Sequence, residues 1–327
     1  MYLFYLAIFL ILYCYFKSNY KFKLIPYEFK SSDKRYLEQK LITDVDKYMD
    51  TFSKYDFQSK LKTMNVNLHT KHSYIRKTLN NCIEWSLEER NLLQTYYNEI
   101  MYKLQKLGLY DRWVLTMPEI YIIKNKMHHE GGANGYTFRN CIFLKKISYK
   151  LLTHELFHIY TRYNSHKKDK LYRLLGFKIA DELKLPESIK DLIISNPDTP
   201  SVVYTTININ GMKFIGTPIC HTTKLKTTDT INYSFFNTMK SSVLFVNLRK
   251  RNDTIILTPK SMEEYNLPNI MSISDLPNYQ KQIEQNTKYN LHPEEVLADN
   301  FSLILSDIWK NQTNKELPRQ MIEIIKK

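Results

Sequence analysis

Leu151-Leu152-Thr153-His154-Glu155-Leu156-Phe157-His158-Ile159-Tyr160 is the stretch that decides how this 327-residue chain is read. It lies inside a run from Tyr149 to Tyr163 whose apolar spacing predicts a helix. Histidines at i and i+4 sit one turn apart on one helix face, so His154 and His158 can aim both imidazoles at a single metal ion. Glu155 falls on the flank of that face, where a carboxylate can reach a metal-bound water without joining the coordination shell. The other positions of the stretch are uncharged, as a metal-bearing helix beneath a cleft requires. The alternative is an amphipathic helix with two incidental histidines. With 9 His in the chain, His-Glu-x-x-His is expected by chance only about 0.014 times in a sequence of this composition, which favours the metal.

Two histidines leave a tetrahedral ion underdetermined, so a third ligand is required. Thr161 and Asn164 stand where a metzincin carries Gly and His, and that class is excluded. Two downstream stretches then compete. Glu182 follows His158 closely, but its fourth neighbour is Pro186. Glu295 has Asp299 at i+4 within Leu291–Phe301, in a segment from Pro293 to Lys310 that reads as one helix. Both carboxylates share a face there, and Val296, Leu297, Phe301 and Ile304 occupy the other side. Glu295 is the preferred third ligand, Glu294 the next and Glu182 the last.

Outside these segments the chain divides by character. Residues 2–16 (YLFYLAIFLILYCYF) are unbroken apolar and aromatic sequence, followed by Lys17, Lys21 and Lys23. As a helix they span about 22 Å against a hydrocarbon core of about 30 Å, a gap that flanking residues and snorkelling lysines can close. No basic segment precedes the run and no small-x-small cleavage site follows it, so a bilayer anchor is preferred over a signal peptide. The lysines place the rest of the chain on the cytoplasmic side of a membrane. Residues 24–327 form the second unit, divided into a helical region (24–112), a sheet with the His-Glu-x-x-His helix (113–200), a β-hairpin insertion (201–260) and a helical part holding the third ligand (261–327). The fold class is α+β.

Several boundaries have explicit signals. Leu37, Leu41, Val45, Tyr48 and Phe52 predict a helix across Asp33–Leu61. Ser86 and Glu89 form a capping box that opens a helix running to Gly108. Glu119–Ile123 and Tyr136–Leu144 read as strands, and Gly131, Gly132 and Gly135, three of only 7 glycines in the chain, predict a tight turn or close approach before the second. Asn210–Gly211 marks a type I′ hairpin, and a second turn falls around Asn252–Asp253.

The composition is 43% hydrophobic and 24% charged, which excludes wholesale disorder. A net charge of +14 suggests nucleic acid, yet the 47 Lys and Arg are scattered and no binding-module signature accompanies them. No nucleic-acid partner is expected. Four cysteines without a Cys-x-x-Cys pair exclude a disulfide framework and favour a reducing compartment.

Gly131–Arg139 (GGANGYTFR), Thr153–Tyr160 (THELFHIY), Leu171–Phe177 (LYRLLGF), Asn196–Pro200 (NPDTP) and His292–Phe301 (HPEEVLADNF) carry a resemblance. The chain resembles zincin metallopeptidases of the gluzincin type, and more closely a poorly characterised group of metallopeptidases in bacteria and large DNA viruses. The similarity covers residues 115–310. It implies a zincin-like fold and a single Zn²⁺ held by His154, His158 and Glu295, with Glu155 as general base in peptide hydrolysis. It also implies Asp299 as the partner of a zinc histidine, and Gly135, Tyr136 and Thr137 as the strand edge that pairs with an extended peptide substrate. Glu295 lies far further from His158 than is usual in gluzincins, so the hairpins must fold beside the cleft. The oxyanion-stabilising residue stays open among Tyr136, Tyr204, Tyr233 and His221. The competing expectation is a non-catalytic membrane or viral-envelope attachment protein that retains the zincin fold.

Overall fold

The computed structural model describes residues 48–223 and 235–327, together with Glu38 and the strand Phe22–Leu24. The apolar run 2–16, the residues Leu37, Leu41 and Val45, and Tyr233 lie outside the described residues. Among those described, no helix is long and apolar enough to cross a membrane. The architecture is α+β and rests on two sheets.

The first sheet contains β1 (Phe22–Leu24), β2 (Cys82–Ile83), β3 (Ile120–Asn125), β4 (Gly135–Phe138) and β5 (Cys141–Leu144), in the order β1-β3-β5-β4 with β2 also on β3. β3 runs parallel to β1 and β5, and β4 returns antiparallel to β5, which leaves β4 as an edge. The side-chain period of two divides the sheet's residues between its faces. Ile120, Ile122, Ile142 and Leu144 join the main core, whereas Tyr121, Ile123, Tyr136, Phe138 and Phe143 join a second cluster on the opposite side. Residues 136–144 are not the single strand their apolar content predicts. The chain reverses at Arg139–Asn140, with Arg139 in the left-handed region (φ 55°), and no glycine or proline marks the turn.

Helices α1 (Lys54–Leu61) and α2 (Lys71–Asn80) cover the second face, while α3 (Leu87–Lys106), α4 (Tyr110–Thr116), α5 (Tyr149–Tyr163) and α6 (Ser165–Leu174) contribute to the main core. The helix expected through Phe52 is interrupted. Tyr48–Thr51 forms one 3₁₀ turn, and Ser53 starts α1 with a capping box of its own, accepting from the Asp56 N–H at 2.9 Å. A serine that can cap competes with the helix interior, and here the cap wins. α3 has the bounds its signals predict. Ser86 and Glu89 cap it, and Gly108 (φ 69°) closes it, with the Leu109 N–H donating to the Leu104 carbonyl at 2.8 Å in a Schellman arrangement.

The second sheet begins at β6 (Lys178–Ala180) and β7 (Glu182–Leu183) and, past the short α7 (Glu187–Lys190), continues as a meander. Its strands are β8 (Val202–Ile209), β9 (Met212–His221), β10 (Lys240–Arg251) and β11 (Thr254–Pro259), with β12 (Ile270–Ser272) added to β10. Asn210 and Gly211, and likewise Asn252 and Asp253, all have positive φ, the type I′ geometry of both hairpins. β6 pairs with β8 and β7 with β11, so one kinked segment joins the two ends of the meander and the sheet closes on itself. Ala180, Tyr204, Ile219, Leu244, Val246 and Leu257 fill it. The barrel therefore takes strands from outside residues 201–260.

The chain ends in α8 (Pro277–Ile283), α9 (Pro293–Leu305) and α10 (Glu316–Lys326). α9 stops short of Lys310 because Asp307 turns left-handed (φ 58°) and the Ile308 N–H closes on the Leu303 carbonyl at 3.1 Å. α9 lies against α5, pinned by Thr153 Oγ1 donating to Ser302 Oγ at 3.0 Å and Tyr149 donating to the Leu305 carbonyl at 3.2 Å. Between α4 and this pair, the Trp113 indole is stacked on Tyr160 (4.8 Å, 3°) and Phe301 (5.1 Å, 3°). That sandwich fixes the spacing of the two helices that carry the site. Trp113→Ala is expected to lower stability by about 3–5 kcal/mol, read as a shift of the urea midpoint at unchanged m-value.

Candidate metal centre

α5 begins at Ser148, whose hydroxyl accepts from the Leu151 N–H at 3.1 Å, and carries His154, Glu155 and His158 on buried turns. α9 begins at His292, whose Nδ1 accepts from the Glu294 N–H at 3.1 Å, with Pro293 at its first position. Glu294 and Glu295 thus lie in the first turn of α9, where the helix dipole favours negative charge. Asp299 follows one turn later.

The crossing of α5 and α9 brings these groups together. His154 donates Nδ1–H to Asp299 Oδ1 at 3.1 Å, and His158 donates Nδ1–H to Glu294 Oε1, also at 3.1 Å. Each of those carboxylates is itself held. Thr287 donates to Asp299 at 2.5 Å, and Glu294 accepts from Thr161 at 2.5 Å and from Tyr172 at 2.6 Å. With both Nδ1 positions protonated and committed, the lone pairs of neutral imidazoles lie on Nε2. Both Nε2 atoms face the same oxygen, Glu295 Oε2, at 3.1 Å from His154 and 3.5 Å from His158. His158 Nε2 is buried with no hydrogen-bond partner among the described residues. Three acceptors converging on one point repel each other unless a proton or a cation lies between them. The donor atoms of His154, His158 and Glu295 all fall within 4.8 Å of one another, and two imidazoles with one carboxylate are the donor set of an open zinc site.

The electrostatics favour positive charge at this point, carried by the histidines themselves where no cation lies between them. Burial alone would push both histidines down, but Asp299 and Glu295 carry His154 up to about 9, and Asp198, Glu294 and Glu295 raise His158. Burial pushes Glu295 up, yet the two histidines prevail and hold it well below the usual carboxylate range. Asp299 is likewise brought down to about 2, its histidine and Thr287 outweighing burial. So dense a set of buried carboxylates calls for positive charge.

Glu155 is 2% exposed and points across to β4. A Cβ on Gly135 would lie 2.5 Å from Glu155 Oε1, so a side chain at residue 135 would displace the carboxylate from this position. Glu155 Oε2 has no hydrogen-bond partner among the described residues. Burial, and then the charge of Asp198, raise its pKa to about 8. A cation between the histidines would draw it back toward the ionised form.

Of the strand-edge residues, Gly135 faces the centre. Thr137 shares its side of β4, but its N–H and its hydroxyl both donate to Asp198 Oδ1, each at 2.6 Å. Tyr136 turns to the opposite face, its ring on Phe143 and its hydroxyl at His129 Nε2 (2.9 Å). Glu182 lies on β7 with a half-exposed side chain near Lys184, away from the histidines. Tyr204 is in the barrel core, and His221 bonds to Ser242 and the Thr222 carbonyl.

Three groups at the centre had no part in the sequence reading. Asn196 donates to Glu295 Oε1 at 2.7 Å and Asp198 caps Thr137, both from the Asn196–Pro200 stretch already noted for its similarity. Tyr289 lays its ring over His154 (6.1 Å, 30°), and its hydroxyl is pushed up by burial and by Glu295, Asp198 and Glu155. The only sequence signal for Tyr289 is its nearness to the Glu295 helix.

No family model, curated protein or solved structure matches the chain. The geometry therefore stands on its own.

Glu294→Gln should weaken zinc affinity about 10- to 100-fold by loosening His158. Glu295→Ala should strip the metal, and Glu182→Ala should leave it bound. Zinc content after dialysis against a graded chelator series measures all three.

Proposed function

We propose that the chain is a zinc-dependent peptidase, with His154, His158 and Glu295 as ligands and Glu155 as general base. The observation that carries this reading is the placement of Glu155. A metal centre that only stabilised the fold would need no unpartnered carboxylate beside it, buried at a cost and accommodated by a glycine. Bound there, zinc supplies a Lewis acid that makes water acidic near neutral pH.

The protein's own groups do the rest. Asp299 and Glu294 fix the tautomer and tilt of the two imidazoles. Glu155 takes the proton of the attacking water and returns it to the leaving amine. Tyr289, whose ring lies over His154, is the donor we assign to the developing oxyanion. Peptide as the substrate follows from the resemblance to gluzincins and from the edge of β4, where antiparallel alternation puts the backbone of Gly135 on the open side with Thr137. In this reading residues 2–16 tether the domain to a bilayer.

A second reading is an attachment protein that keeps the centre without turnover. One observation favours it: Asp198 already occupies the outward N–H of Thr137, where a substrate strand would pair.

Glu155→Gln separates the two. Zinc content and melting temperature should stay near wild type while peptide turnover falls about 10²- to 10⁴-fold. Gly135→Ala, which drives a methyl into the carboxylate, should also depress turnover with zinc retained. Wild-type rates in both variants would remove Glu155 from the chemistry, and no turnover by the zinc-loaded wild type would favour the attachment protein.

A further inference from the structure

Beside the centre, a cavity of about 530 Å³ opens between the segment Ile193–Ser201 and strands β7, β8 and β9. That volume is within the range of about 300–1,000 Å³ in which proteins enclose organic groups. Its wall mixes polar residues with a set of aliphatic ones. Leu183, Leu185, Ile193 and Val202 line it, and each packs on the barrel core while remaining only partly buried. Apolar surface therefore stays open at a concave site, where covering it would be favourable.

The cavity shares a wall with a smaller one on the side of the metal centre. Asn196, Cys220 and Leu291 line both this cavity and a smaller one of about 60 Å³ that reaches Gly135, Asp198 and Tyr289. Asn196 is also the residue that donates to Glu295. A chain held against Glu155 would have its neighbouring side chains beside that shared wall.

We infer that this cavity is the specificity pocket of the enzyme and receives a bulky aliphatic or aromatic side chain of a peptide substrate. The inference rests on the peptidase reading above and adds the substrate class. Selectivity then comes from the barrel, through strands that carry none of the assigned zinc ligands. Among the described residues, the lysines lining the pocket each have a carboxylate nearby, Lys184 beside Glu182 and Lys190 beside Glu187.

The test is hydrolysis of a positional peptide library by the zinc-loaded full-length protein. Replacing Ala by Leu or Phe at one position should raise kcat/KM about 10- to 200-fold. Leu185→Trp and Val202→Trp, made separately so that one misfolded variant does not decide the matter, should bring that ratio toward 1 with zinc content retained. Hydrolysis that is indifferent to apolar side chains at every position would overturn the inference and leave the peptidase intact. Cleavage of no library member by zinc-loaded protein would overturn the peptidase reading, and the inference with it.

Discussion

Everything at the centre depends on two hydrogen bonds from imidazole Nδ1 to carboxylate, His154 to Asp299 and His158 to Glu294. A neutral imidazole has one N–H and one lone pair, so committing Nδ1 as donor decides what Nε2 can do. Both Nε2 atoms are thereby turned toward Glu295, an arrangement that needs a proton or a cation between the groups. The rest of the fold maintains this arrangement. α5 supplies the histidines at the right spacing, α9 delivers three carboxylates from its first two turns, and Trp113 between Tyr160 and Phe301 sets the distance between the helices.

The same constraint accounts for features that would otherwise be liabilities. Glu294 is 1% exposed, yet it accepts from His158, Thr161 and Tyr172, so its burial leaves few lone pairs unmet. Gly135 gives up side-chain packing in an edge strand so that Glu155 can occupy the space. Asn196 holds the Glu295 oxygen that does not face the histidines. Glu155 Oε2 is buried beside the centre with no hydrogen-bond partner among the described residues, and Glu155 is the group to which the chemistry is assigned.

Local periodicity made the α5 site legible from the sequence. His154, Glu155 and His158 needed only the geometry of one helix, and Glu295 with Asp299 only the spacing of another. What the sequence could not show was how the helices cross. The spacing to Asp299 ranks Glu295 above Glu294 as a ligand, but only the crossing shows that Glu294 goes to Nδ1 of His158 while Glu295 faces Nε2. Asn196 and Asp198 were hidden for a different reason. Asn196 accepts from the Asp198 N–H at 3.0 Å, turn chemistry indistinguishable in sequence from a surface loop. The barrel closure was hidden because β6 and β7 contribute only 3 and 2 residues, too few for a periodic signal. The turn at Arg139 was hidden because a non-glycine residue takes the left-handed conformation there.

The most direct test of the account is the zinc coordination shell itself, measured by X-ray absorption and anomalous diffraction on protein loaded with one equivalent of Zn²⁺. The account predicts His154 Nε2, His158 Nε2 and a Glu295 oxygen at about 2.0–2.2 Å. It also predicts a fourth position open to solvent, with Asp299 and Glu294 still bonded to the two Nδ1 atoms. Zinc bound through Nδ1, or a shell closed by Asp198 as a fourth protein ligand, would contradict it.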